Sequence, residues 1–124
     1  MDIETKVDLI KDFSEEVVTE EGLRKIFQNN DHPIAYDGFE PSGVAPIHFG
    51  LLRATNLRNM LKAGIKFRLY LADYFAFLND KLGGDLENIR NAGKYFIEVW
   101  KACGIDVNKG EIIWAKDIMN GISY

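Results

Sequence analysis

Residues 34–50 read IAYDGFEPSGVAPIHFG and hold a tyrosine, two acids, three glycines, two prolines and one of the chain's two histidines. Such a mixture suits ligand binding through backbone more than through side-chain chemistry. Gly38 and Gly43 let the main chain approach a bound group closely. A helix that begins near Pro46 aims free N–H groups at an anion. Proline is comfortable at a first helical position, because the N–H it lacks would be unpaired there. His48, in that first turn, can donate to a phosphate oxygen. The stretch is not a Walker loop, since no Gly-Lys-Ser/Thr follows, and it lacks the dinucleotide glycine pattern. Spacing alone leaves two readings open: a nucleotide-phosphate site, or an ordinary strand–helix turn with a solvated His48 and a strand tyrosine at Tyr36.

The elements around the stretch decide where it sits. Residues 2–12 place Ile3, Val7, Leu9 and Ile10 among charges, which predicts a short surface helix. Thr19 is the expected N-cap of a second helix, with Glu20 and Glu21 complementing its dipole. The turn residues 28–33 end it. Residues 34–39 read as a strand. From Ile47 to Leu61 apolar residues recur at near-helical spacing, and Ala63-Gly64 closes that helix. Residues 66–73 form a second strand, 74–80 a short helix or turn, and Asp85 caps a long helix that stops at Gly104. Residues 111–115 are a third strand, and Lys116 begins something further. Strands alternating with helices predict an α/β protein with a parallel sheet, and ligands in such sheets sit at the carboxyl ends of the strands.

The chain has 124 residues, one domain's worth, with 47% hydrophobic content, enough for a core. A net charge of −4 argues against a general polyanion-binding surface. Arg53, Arg58, Lys62, Lys66 and Arg68 form a local basic cluster, read as a solvated face or a local polyanion-facing patch. One cysteine, Cys103, excludes an internal disulfide and a Cys-rich metal site. The N-terminus has neither the basic nor the apolar region of a signal peptide, and no apolar run approaches the roughly 20 residues that span a bilayer. These features predict a soluble, cytoplasmic protein with no membrane partner.

Two motifs together carry a family resemblance. YDGFEPSG (36–43) and LADYFAFLN (71–79), with EEVVTEEGLRKIF (15–27) before them and the helical run to Asp106 after, resemble the N-terminal catalytic half of tyrosyl-tRNA synthetases of the archaeal and eukaryotic kind. The resemblance implies an incomplete Rossmann-like parallel sheet over 34–124, behind a helical lead-in over 1–33. It implies a class I aminoacyl-tRNA synthetase: ATP activates L-tyrosine to tyrosyl-adenylate, and the acyl group then passes to tRNA(Tyr). Tyr36, Gly38, Glu40, Asp73 and Phe75 match tyrosine-pocket positions, and Tyr36 is the one whose hydroxyl meets the substrate phenol. Pro41, Ser42, Gly43, Pro46, His48 and Gly50 match the ATP-binding signature, with His48 as the catalytic phosphate contact. Mg2+ arrives with ATP, and no protein-bound metal site is expected.

The sequence departs from the family in two places. The signature has two histidines around an apolar-glycine pair, and one is missing in either register: His48-Phe49-Gly50 is followed by Leu51, or, by the spacing to LAD, the two positions fall at Pro46 and near Phe49 with His48 between them. The family's second half, with further tyrosine ligands, dimer helices, a lysine-serine phosphate loop and the tRNA-reading part, has no counterpart in these residues. The expectation is a fragment of a homodimeric ligase that does not aminoacylate alone. The alternative is a truncated, non-catalytic paralogue that binds tyrosine or a nucleotide.

Overall fold

The computed structural model describes residues 1–120. The N-terminal lead-in forms α1 (Ile3–Lys11) and α2 (Glu20–Asn29). Asp2 caps α1 by accepting from the Thr5 N–H at 2.8 Å. Thr19 stands at the N-cap of α2, but its hydroxyl makes no capping hydrogen bond there. Ion pairs tie the two helices: Arg24 of α2 donates to Glu4 of α1 at 2.8 Å, and Lys11 of α1 meets Glu20 of α2 at 2.6 Å. Their apolar sides meet in a cluster of Val7, Ile10, Phe27, Ala63 and Ile65.

Three parallel strands follow, β1 (Ile34–Phe39), β2 (Lys66–Leu71) and β3 (Gly110–Trp114), in the spatial order β1-β2-β3. The connections are α3 (Ile47–Lys62) between β1 and β2, and α5 (Leu86–Ala102) between β2 and β3. Crossovers of one hand that step in one direction place both helices on the same face. Phe49, Leu57, Phe67, Leu69, Phe96 and Trp100 accordingly share a single core. Its centre is aromatic: Phe49 lies 4.5 Å from Phe96 and 5.0 Å from Trp100, centroid to centroid, and Phe39 meets Phe49 edge-on at 4.9 Å. Each such side chain, when buried, contributes about 1.5–3 kcal/mol.

Several boundaries differ from expectation. The second strand ends at Leu71, and Asp73 opens a short helix, α4 (Asp73–Leu78). Residues 81–84 make a tight turn in which Leu82, Gly83 and Gly84 all have positive φ. The third strand ends at Trp114, and α6 (Ala115–Met119) begins at once. Pro46 is the N-cap of α3 and Ile47 its first helical residue. Gly64 and Gly104 do stop their helices, at φ 86° and 82°. Residues 121–124, the end of the expected Rossmann-like unit, lie outside the described residues.

The other face of the sheet is open among the described residues: Ile34, Tyr36, Lys66, Arg68 and Glu111 are all exposed. Strand register pairs Arg68 with Glu111, and the two form an ion pair at 2.7 Å. The expected basic cluster is therefore divided. Arg68 points to the open face, Arg53 pairs with Asp37 on the helical side, and Arg58 donates to the Cys103 carbonyl at 2.8 Å. A cavity of about 300 Å³ lies beside the Asp37–Arg53 pair, floored by Phe39, Leu57 and Phe67 and rimmed by Ser14 and Glu15. No described helix is long and apolar enough to cross a membrane.

Two outcomes follow from this packing. Gly93 of α5 is buried where an added Cβ would stand 2.6 Å from the Trp114 ring and 3.3 Å from Pro41. Gly93→Ala is expected to lower unfolding free energy by about 1–3 kcal/mol through overpacking, read by urea denaturation. A variant as stable as the parent would show that the indole moves freely. Burial raises the Asp37 carboxyl above its ordinary 3.8, and the Arg53 charge only partly offsets this. A raised folded pKa means that the group's stability contribution is complete below the unfolded value and is lost as pH rises through the folded one. Asp37→Asn should thus gain stability relative to the parent as pH rises from below 3.8 through the raised folded value. A difference independent of pH would refute it.

Candidate active site

The stretch 34–50 occupies the carboxyl end of β1 and the start of α3, and it divides by face. In β1 exposed and partly buried residues alternate, so Tyr36 and Gly38 face the open side while Asp37 and Phe39 face the helices. Tyr36 is 79% exposed. It lines a shallow hollow with Ile34, Arg68, Tyr70, Ile113 and Ile118. Gly38 pairs with Tyr70 in the ladder, and a Cβ at Gly38 would stand 3.5 Å from the Tyr70 ring. The missing side chain leaves that face of β1 flat beside Tyr70, next to the hollow.

Ile34, Tyr70, Ile113 and Ile118 are hollow residues that sequence reasoning missed. Tyr70 had a readable signal: it alternates with the buried Leu69 and Leu71 and so had to share the face of Arg68. Ile113 follows only once the pairing Tyr70–Ile113 is known. Ile118 belongs to a helix that the sequence left unnamed.

The turn supplies the second part. Gly43 has φ 147° and nothing within 4 Å of its missing Cβ, a conformation that side chains rarely adopt. Ser42, Pro46 and His48 are exposed around it. No side chain caps α3 and no acid lies in its first turn, so the helix end retains unneutralised N–H groups, those of Ile47 and His48 first. That end suits an anion. Its outer surface is apolar, however: Val44, Ile47, Leu51 and Leu52 all face solvent.

Four expected site residues are engaged by the fold. Pro41 is fully buried, against the Gly93–Trp114 contact. Gly50 is buried where α3 meets α5, and a Cβ there would stand 3.1 Å from Val99 and 3.2 Å from the Cys103 sulfur. Its smallness serves helix packing. Glu40 accepts from the Asn79 amide at 2.6 Å, which ties the turn to the end of α4. Asp73 is fully buried and already holds Arg90 at 3.1 Å and two backbone N–H groups. Its side chain is not among those that line the hollow. Phe75 is exposed on α4, outside the residues that line the hollow.

Known proteins share this arrangement. The profile of the family "tRNA synthetases class I (W and Y)" matches residues 28–124. The cytoplasmic tyrosine–tRNA ligase 2 of Arabidopsis thaliana is 43% identical over 95% of this chain, which spans 16% of that relative. The tyrosine–tRNA ligase of Sulfolobus acidocaldarius is 41% identical over the whole chain, which spans 34% of it. Among solved structures, the Leishmania major tyrosyl-tRNA synthetase in complex with tyrosinol superposes with a TM-score of 0.90 at 40% identity, over 94% of this chain and 22% of its own. The Aeropyrum pernix tyrosyl-tRNA synthetase superposes with a TM-score of 0.88 at 32% identity, over 96% of this chain and 36% of its own. The chain thus spans between about a sixth and a third of the curated relatives it matches. With the family profile over most of its length and relatives at this identity, the chain belongs to the class I tRNA synthetases of the tryptophan and tyrosine type, among the tyrosine–tRNA ligases.

Proposed function

We propose that the chain supplies the amino-acid-binding face and the phosphate-facing helix end of a tyrosine–tRNA ligase. The observation that carries this reading is the placement of Tyr36, exposed in a hollow that it lines with Tyr70, Ile113 and Ile118, on the face of β1 that Gly38 leaves flat. An aromatic ring fits such a surface, and a phenol adds the hydrogen bond that the Tyr36 hydroxyl can exchange with it. In the reaction a tyrosine carboxylate oxygen attacks the α-phosphorus of ATP. The bond to the leaving oxygen breaks, pyrophosphate departs, and tyrosyl-adenylate remains for transfer to the 3′ end of tRNA(Tyr).

That chemistry asks the protein for positioning and charge stabilisation more than for covalent participation. Ser42, Gly43 and the N–H groups that open α3 are suited to face phosphate oxygens, with the His48 imidazole beside them. Mg2+ enters as the counter-ion of the ATP phosphates. Pairing of two ligase subunits and contact with tRNA are assigned to parts of the protein outside the matched third. A second reading, a tyrosine- or nucleotide-binding module without ligase activity, draws support from the apolar first turns of α3, where Leu51 follows the His48-Phe49-Gly50 run.

Tyrosine- and ATP-dependent pyrophosphate exchange tests the reading in the protein expressed to its natural stop codon. Absence of exchange with tyrosine binding retained would favour the module. Tyr36→Phe is expected to weaken tyrosine binding about 3- to 10-fold, the loss of one hydrogen bond, and to relax rejection of phenylalanine. Unchanged discrimination between the two amino acids would remove Tyr36 from the site.

A further inference from the structure

Asp73 is fully withdrawn from solvent, and three elements converge on its two oxygens. Oδ1 accepts from the Tyr74 N–H at 3.0 Å and from the Lys116 N–H at 3.2 Å. Oδ2 accepts from Arg90 Nε at 3.1 Å. Tyr74 lies in α4, Arg90 in α5 and Lys116 in the first turn of α6. The guanidinium also lies over the Tyr74 ring, 5.9 Å from its centroid. A carboxylate this deeply buried depends on its cation, because removal of either partner leaves the other uncompensated.

One wall of the Tyr36 hollow and the turn after β1 are both referenced to this one carboxylate. At the hollow, α6 contributes Ile118. At the end of β1, α4 runs from Asp73 to its C-cap Asn79, whose amide holds Glu40 in the turn that follows the strand. Neither Arg90 nor Asp73 lines the hollow. They can act on a ligand there only through the elements they join.

We infer that Arg90, through Asp73, is a positioning residue for the amino-acid substrate: it sets the separation between Ile118 of α6 and the Glu40 turn. This inference rests on the tyrosine-pocket reading above. Arginine suits the role because its planar fork fixes direction as well as charge, and lysine supplies only the charge. Small displacements of binding groups have large effects on substrate use.

The test measures KM for tyrosine and for ATP separately in pyrophosphate exchange, with thermal unfolding in parallel, on the protein expressed to its natural stop codon. Arg90→Gln should raise the tyrosine KM about tenfold or more while the ATP KM stays within about twofold. Arg90→Lys should recover part of that loss. If Arg90→Gln does not fold, the paired Asp73→Asn, Arg90→Gln protein, which removes both charges together, carries the same expectation. An unchanged tyrosine KM, with activity falling only in step with the folded fraction, would overturn the inference and leave the ligase reading intact. A parent protein that neither exchanges pyrophosphate nor binds tyrosine would overturn both.

Discussion

A parallel sheet built by two crossovers of the same hand receives both connecting helices on one side, and the arrangement of this chain follows from that constraint. Helices α3 and α5 bury Phe49, Phe96 and Trp100 against the inner residues of β1 and β2. The opposite face then carries whatever the alternating positions of the strands provide. Parallel sheets are ordinarily covered on both faces, so a face left accessible next to the carboxyl ends of the strands is where a ligand has room. Tyr36, Gly38 and Tyr70 stand on that face, and the turn after β1 stands at its end.

The turn itself reconciles two demands. Its anchoring residues are buried or tied: Pro41 packs against α5 and β3, Gly50 admits the close approach of α5, and Glu40 is held by Asn79. Its accessible residues, Ser42 to His48, are the ones free to meet a ligand. A loop held at several points around a short unencumbered segment can present backbone N–H groups without ordering them anew at each binding event. Residues that match one motif in sequence thus serve two physical ends, and side-chain burial separates them.

The strands and the long helices were legible because their signals are local. Asp85 caps α5 by accepting from the Asn88 N–H, and glycines with positive φ stop α3 and α5. The family was legible from YDGFEPSG and LADYFAFLN. Asp73 was legible as a residue of note but its partners were not, because nothing local reveals Arg90 seventeen positions away or the Lys116 N–H beyond it. Ile113 and Ile118 were invisible for the same reason: their neighbours are set by strand register and by a helix after β3. Local chemistry announces elements and turns, and long-range pairing decides which side chains meet.

One more consequence lies in β1. Tyr36 and Asp37 are adjacent in the chain and belong to opposite sides of the sheet, one over the hollow and the other beside Arg53 and the helical cavity. Each can be exchanged for another residue with little effect on the other's surroundings. Insertion or deletion of a single residue upstream in the strand would invert both at once. This segment can therefore diversify by substitution while its length stays invariant, and changes of length in its descendants should be confined to the loops on either side.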